Sequence, residues 1–423
     1  MLIYFKVGNY KSIKDPIVLN FNAAAISEHT NSNVIEDESM PLLKSILLYG
    51  HNASGKSKIL DAFVFFRWFV INSAIENQRN EIIDVESFKL NTATVGKPSF
   101  FEASFIVGEL KYRYGFEVDT DRVHKEWLME SKVTKEYPVF LRIGDEFQID
   151  KKRFANADGL EKRTRKNALF LSVASQWNVG KAEKINEWFA SIFTIHGLMD
   201  EVYKNLTIEL LKDGRQTALV NEFIQKADLG ISSMEAVDMP LRIANTPKDI
   251  PDRFKNALTE KWKEKEDKAV FAFHNRYDER GNVQGSVPFI LDSQESDGTR
   301  KYFNLIGVFI TAILENRVVM IDEFDARLHT LLTKSILKLF NSPQTKSKAQ
   351  LLVASHDTAL LDRSLLRRDQ IYFVEKTKYG ATEVTSLVEY KPRKESPYDK
   401  NYLEGKYGAI PFIDGLESLL ANG

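Results

Sequence analysis

Apolar and polar residues alternate from the first positions of the chain. LIYFKV (2–7) and PIVLNF (16–21) read as short strands, with a turn at Lys14-Asp15-Pro16. Residues 22–42 are polar and predict a loop, and LLKSILLYG has the continuous apolar character of a buried strand ending at Gly50. From Lys56 to about Ala74 the spacing predicts a helix with too many apolar residues for a surface position. SFFEASFIVG, ELKYRYGFEVD and EWLMESKVT then alternate between turn residues, the pattern of an antiparallel meander.

The β-rich part closes around NALFLSVASQW. From about Val179 to Lys268 helical periodicity takes over, as in KINEWFASIF and TALVNEFIQKA, and predicts a helical lobe. Strands return with AVFAFHN and SVPFIL. The sequence then alternates between helix and strand through KYFNLIGVFITAIL, RVVMIDE, LLTKSILKLF and AQLLVASHD. Such alternation requires crossover connections and hence a parallel sheet. The expectation is an α/β protein in three stretches: 1–178, a helical lobe at 179–285, and 286–423.

Composition narrows the possibilities. The formal net charge is −1, from 58 basic and 59 acidic residues, so basic patches can only be local. There is no cysteine, which removes disulfides, thiolate catalysis and cysteine-bound zinc, and fits a reducing cytoplasm. The N-terminus lacks a signal-peptide layout. The longest near-apolar run, Tyr302 to Leu314, is interrupted by Asn304 and is short of the ~20 residues that span a bilayer. A cytoplasmic protein without a membrane partner is expected.

The most specific motif follows the third predicted strand. Gly50-His51-Asn52-Ala53-Ser54-Gly55-Lys56-Ser57 fits G-x-x-x-x-G-K-[ST] and lies between a strand and a helix, the context a phosphate-binding loop requires. Backbone N–H groups of Asn52, Ala53, Ser54 and Gly55 would cradle phosphate oxygens, and the helix that follows adds its positive end. Lys56 would reach the β- and γ-phosphates, and the Ser57 hydroxyl would ligate Mg²⁺. Such a loop needs a carboxylate at the end of another strand, and Val318 to Ile321 leads into Asp322. Glu323, next in the chain, can polarise an attacking water.

LDSQESDGTRKYFNLIG places Ser296-Asp297-Gly298-Thr299 before a long apolar helix. Taken alone this is a capped helix start, which is also an anion site. Gln176 stands where the β-rich part meets the helical one, and His356 ends another buried strand. The series formed by the phosphate loop, Gln176, Ser296 with Gly298, Asp322 with Glu323, and His356 resembles the ABC-type ATPase head. Within that group it is similar to the branch of SMC and DNA-break-repair ATPases.

ESDGT, DEFDARLH, RRDQIYFVEK and YLEGKYGAIP are similar to the RloA/AbiL-type defence ATPases. PtuA of Septu, AriA of PARIS and the ATPase half of OLD nucleases are alike in style. The resemblance implies Gln176 as the Q-loop glutamine near Mg²⁺ and the attacking water. It implies Ser296, Asp297 and Gly298 as signature residues, and His356 as the switch histidine. It also places NYKSI, Asn9 to Ile13, near the nucleotide. Two departures stand out: Asp297 and Thr299 stand at the second and fourth positions of the usual Ser-Gly-Gly-Gln, and His329 stands in the D-loop region.

Because a signature acts across a dimer, the resemblance implies a homodimer, or a higher even oligomer, enclosing ATP and Mg²⁺. It also implies a separate nuclease-like effector protein as partner. The 179–268 segment is far too short for a long coiled-coil arm at ~1.5 Å per residue, so a compact head is expected. The alternative is a stand-alone SMC-like clamp on DNA. It draws on Lys162-Arg163-Thr164-Arg165-Lys166 and Arg367-Arg368, clusters that read more readily as solvated loop charge. A transporter subunit is disfavoured by the early meander and the ESDGT signature.

Overall fold

The computed structural model describes residues 1–35, 40–76, 81–132, 134–238, 268–393 and 395–410. The alternating N-terminal segments form β1 (Leu2–Gly8) and β2 (Ile17–Asn20). A two-residue pair, β3 (Val34–Ile35) and β4 (Leu42–Leu43), precedes β5 (Ser45–Tyr49). The meander comprises β6 (Ser99–Val107), β7 (Leu110–Val118), β8 (Val123–Ser131), β9 (Tyr137–Ile143) and β10 (Glu146–Ile149). With β1 and β2 it makes a seven-stranded sheet ordered β10-β9-β8-β7-β6-β1-β2, antiparallel throughout.

The second sheet joins distant parts of the chain. β11 (Phe193–His196) is followed in sequence by β12 (Ile231–Asp238), β13 (Lys268–Tyr277) and β14 (Val283–Ile290). After these come β15 (Val318–Asp322), β16 (Gln350–Ser355), β17 (Ile371–Lys376) and β18 (Thr382–Ser386). Six of them form the order β11-β15-β16-β5-β17-β18, parallel except for β18 at the edge. β5, β15 and the first four residues of β17 are buried along their length, so their side chains are apolar on both faces, as crossover sheets require. The α/β head with a mainly parallel core sheet and an N-terminal antiparallel sheet is thus present.

The helix Lys56–Asn72 is apolar over most of its surface because both sheets pack against it; Lys58 and Val64 are its exposed positions. Its Phe63, Phe66 and Phe69 join one core cluster with Phe5, Phe101, Tyr114 and Phe116 of the antiparallel sheet. Ile46, Leu48, Met320 and Leu352 of the parallel sheet belong to the same cluster. Phe66 stacks on Phe116 at 5.3 Å and meets Phe189 edge-on at 5.4 Å. Removing such a ring costs ~3–5 kcal/mol.

The chain divides into two compact units. The first is 1–197, 312–326 and 333–423; the second is 198–311 and 327–332. The second unit therefore begins later than the 179–285 lobe expected from periodicity. The helix Gly180–Ala190 buries Ala182, Ile185 and Phe189 in the core of the first unit. Arg67 fixes its end by donating to Phe189 O at 2.7 Å and Ala190 O at 3.0 Å. The second unit holds the helices Lys204–Lys212 and Thr217–Lys226, and an antiparallel sheet β12-β13-β14. Residues 239–267 of the expected helical stretch lie outside the described residues.

The NALFLSVASQW segment is a helix, Phe170–Gln176, and a buried carboxylate explains its start. Glu126 of β8 accepts from Phe170 N at 2.7 Å and Leu171 N at 2.9 Å, and Tyr114 Oη donates to it at 2.9 Å. Burial pushes the Glu126 carboxyl up, and Arg142 beside it works against that shift.

Arg367 is not part of a basic surface patch. It is 1% exposed, and its guanidinium donates to Asp369 at 2.9 and 2.8 Å, to Glu28 O at 2.5 Å and to Ala24 O at 3.0 Å. Arg368 pairs with Glu28 at 2.8 Å. Arg367→Ala would strand Asp369 without its charge partner. A loss of ~3–5 kcal/mol is expected, read as a lower midpoint in chemical denaturation.

The second cluster is exposed but partly engaged: Arg163 lies 4.0 Å from the Trp177 ring centroid, and Lys166 pairs with Asp121. Among the described residues no helix is long and apolar enough to cross a membrane.

Candidate nucleotide-binding site

β5 ends at Tyr49, and the loop from Gly50 returns into the helix beginning at Lys56. Its glycines are required by space. A Cβ on Gly50 would lie 2.3 Å from Val374 O, and one on Gly55, where φ is +114°, would lie 2.1 Å from Thr382 Oγ1. Ala53 adopts φ 65°, a left-handed conformation that a non-glycine residue holds only where its surroundings impose it. Asn52 and Ala53 are exposed, and Ser57 is partly exposed in the first helical turn. Ser54 is fully buried, and its Oγ has no hydrogen-bond partner.

Lys56 Nζ turns back onto the loop, donating to Gly50 O at 2.6 Å and His51 O at 3.1 Å. Burial lowers its pKa, while the carboxylates of Asp322, Asp325 and Glu323 pull it back up. Those acids therefore lie near enough to help keep the ammonium charged. The NYKSI segment also reaches this loop. Ser12 Oγ lies 2.8 Å from Thr382 Oγ1, which in turn donates to Ser54 O at 3.4 Å.

The acids come from the far side of the sheet. β16 lies between β5 and β15, so three parallel strands deliver Gly50, His356 and Asp322 at their carboxyl ends, where α/β proteins bind ligands. Asp322 is 5% exposed, and its Oδ1 accepts from Glu323 N at 3.0 Å. Glu323 has φ 46°, left-handed, and Phe324 behind it is buried with its N–H on Ala354 O at 3.0 Å. The turn is thus anchored on β16 immediately after the acid.

His356 follows β16. Its carbonyl accepts from Tyr49 Oη at 2.9 Å, and its Nδ1 lies 3.2 Å from Asp325 Oδ2. Asp325 Oδ1 is buried without a partner. Sequence reasoning passed over Asp325, although it stands in the same DEFD run.

Gln176 ends the helix Phe170–Gln176 and is exposed. The strand beside β15 is β11, and there the register pairs His196 with Asp322. His196 and Asp322 line one cavity of about 250 Å³, with Leu60, Asp61 and Met320. A Cβ on Gly197 would lie 2.4 Å from Asp322 O and 2.5 Å from Glu323 O, so only glycine lets the chain pass so close. His196 was missed by sequence reasoning, because a four-residue strand carries no sign of the strand it will pair with.

The signature residues lie in the second unit. Ser296 caps the helix Asp297–Glu315: its Oγ accepts from Thr299 N at 3.1 Å, and its carbonyl accepts from Arg300 N at 2.9 Å. Asp297 pairs with Arg300. A Cβ on Gly298 would lie 2.8 Å from Arg327 O. In the D-loop, His329 Nδ1 accepts from Leu331 N at 3.2 Å.

The residues of the first unit fit a nucleoside triphosphate with a hard divalent cation. The orphaned Ser54 hydroxyl and the Lys56 ammonium suit phosphate oxygens. The Ser57 hydroxyl and the Asp322 carboxylate are oxygen donors of the kind Mg²⁺ takes alongside phosphates. A glycine-shaped loop and an acid-tipped parallel strand in one sheet define a P-loop nucleotide-binding domain. The chain belongs to the family described as "AAA domain, putative AbiEii toxin, Type IV TA system", whose profile matches residues 45–362.

No curated protein sequence matches it. Three solved structures are similar. One is an SMC head bound to the C-winged helix domain of ScpA, with 13% identity, TM-score 0.47, and coverage of 91% of this chain and 97% of that chain. Another is the SMC head domain from Thermotoga maritima, with 14% identity, TM-score 0.41, and coverage of 91% and 98%. The third is an SMC head with an extended coiled coil, bound to the C-terminal domain of ScpA derived from Pyrococcus furiosus, with 13% identity, TM-score 0.39, and coverage of 92% and 97%.

Proposed function

We propose that this chain is the ATP-binding and ATP-hydrolysing subunit of a bacterial antiphage system of the abortive-infection or restriction-linked kind. It works in the cytoplasm as an ATP-linked dimer and controls a separate nuclease-like or toxin effector. The observation that carries the ATPase part is the delivery of the 50–57 loop, His356 and Asp322 at the carboxyl ends of the adjacent parallel strands β5, β16 and β15. The family description, with its abortive-infection toxin, supports the defence setting, and ESDGT and DEFDARLH support the RloA/AbiL-like branch.

In this reading the 50–57 loop and Lys56 hold the phosphates, and Ser57 and Asp322 hold Mg²⁺, which would neutralise phosphate charge. Glu323 accepts a proton from water, and His356, oriented by Asp325, donates toward the γ-phosphate. Ser296, Asp297 and Gly298 serve the site of the other subunit. Hydrolysis by the purified protein, dependent on Mg²⁺, tests the first part; ATP-dependent co-purification with the product of a neighbouring gene tests the second. A protein that neither hydrolyses ATP nor retains such a partner would leave the proposal without support.

The Q-loop role assigned to Gln176 passes more readily to His196, which shares a cavity with Asp322. His196→Ala is expected to raise the Mg²⁺ concentration needed for half-maximal hydrolysis ~10-fold or more, and to weaken Mn²⁺ retention on the ATP-bound protein. Gln176→Ala should change neither. The reverse pattern would return the role to Gln176.

The DNA-clamp alternative loses Arg367 and Arg368, which are tied into the fold. It keeps only the cluster at 162–166, and DNA affinity falling steeply with salt would revive it.

A further inference from the structure

The second unit holds an ion pair that the site above does not use. Asp200 is 3% exposed, and both its carboxylate oxygens are engaged. Oδ1 accepts from Arg327 Nη2 at 2.7 Å and Oδ2 from Asn304 Nδ2 at 2.8 Å. A carboxylate this deeply buried persists only with its charge partner and hydrogen bonds in place. Its two partners belong to functional segments: Arg327 lies in the DEFDARLH loop that carries Glu323, and Asn304 lies on the helix that Ser296 caps.

The backbone supplies a second attachment between the same two segments. Arg327 has a left-handed φ of 63°, and its carbonyl oxygen occupies the space a Gly298 side chain would need, 2.8 Å from the Cβ position. The loop is therefore held to the signature helix through a side chain and through a carbonyl. The chain also leaves the first unit at two points, after Gly197 and after Ala326. Gly197 packs against the carbonyls of Asp322 and Glu323, and Ala326 follows them in the same loop. Asp200 and Arg327, just past these two points in the chain, bond to each other within the second unit.

We propose that Asp200 is a positioning residue for hydrolysis: through Arg327 and Asn304 it fixes the Arg327 end of the DEFDARLH loop on the helix Asp297–Glu315, and so restrains the loop that carries Glu323. The inference rests on the ATPase reading given above. Left-handed backbone at a non-glycine residue is retained only while its surroundings over-determine it. Releasing Arg327 therefore loosens the conformation that presents Glu323. Nucleotide contacts from the 50–57 loop, in the first unit, are untouched.

The test separates turnover from binding. Asp200→Asn preserves size and removes the charge. Its kcat is expected to fall ~10–100-fold, the scale of a small misplacement at a reacting centre. Affinity for a fluorescent ATP analogue with Mg²⁺ should stay within ~2-fold of wild type, because ground-state contacts are retained. Arg327→Ala, at a more exposed position, should behave alike and serves if Asp200→Asn fails to fold. Arg327→Lys, which keeps the charge, should recover part of the rate.

Wild-type turnover in both Asp200→Asn and Arg327→Ala overturns the proposal, as does a parallel loss of binding and turnover. Absence of ATP binding by the wild-type protein would instead remove the ATPase reading, and the coupling with it.

Discussion

Glu323→Gln is expected to bind ATP with wild-type affinity or better and to lose hydrolysis by about 10²–10⁴-fold, the contribution of a positioned general base. The substitution is nearly isosteric, so it isolates the chemistry. The backbone N–H of residue 323 still donates to Asp322 Oδ1, Phe324 still anchors the turn on Ala354, and the left-handed conformation is retained. What disappears is a proton acceptor and a negative charge that helps keep Lys56 charged. Removing that charge also removes repulsion toward a triphosphate, hence the unchanged or improved affinity.

If hydrolysis normally loosens the dimer, the variant should accumulate as a dimer when given ATP and Mg²⁺. Phosphate release, nucleotide binding and light scattering measure the three outcomes. Turnover at the wild-type rate would remove Glu323 from the role of base and leave Asp325 as the next carboxylate to test.

The parts of this site that sequence exposed are those written in consecutive residues. The spacing from Gly50 to Ser57 carries its own geometry, and four apolar residues ending in Asp322-Glu323 can only be a strand with acids at its tip. The antiparallel sheet was legible for the same reason, since each of its hairpins is local. What depended on distant pairing was hidden. β11 is four residues long, and nothing in FTIH announces that it pairs with β15 so that His196 faces Asp322 in register. Gln176 was placed from the order of motifs alone, and order along a chain does not fix position in space.

Arg367-Arg368 looked like surface charge because tandem arginines usually are. Its partners include the carbonyls of Ala24 and Glu28, which close around it from the other end of the sequence. The lobe boundary at 179 was drawn from periodicity, and the amphipathic stripe of Gly180–Ala190 is the same whichever core receives it. Ile185 and Phe189 show that the receiving core is that of the first unit.

Mixing two inactive variants should restore ATP retention. Lys56→Ala removes the ammonium that would hold the phosphates, so this variant alone should retain no ATP on gel filtration. Ser296→Arg removes the hydroxyl that caps the helix Asp297–Glu315 and puts a bulky side chain at its tip, so it should also fail alone. If the site is shared between subunits, a heterodimer has one site that combines the intact Lys56 of one chain with the intact Ser296 of the other. Its second site carries both lesions.

Random pairing in an equal mixture makes half the dimers mixed, each with one good site of two, so ~a quarter of wild-type retention is expected for an isologous pair. Performing the experiment with Glu323→Gln in both chains prevents turnover from emptying the site. No recovery from two folded variants, or normal retention by Ser296→Arg alone, would mean that each chain completes its own site. Ser296 would then be a helix cap and nothing more. Recovery near a quarter requires both subunits, because neither variant chain holds an intact Lys56 and an intact Ser296 together.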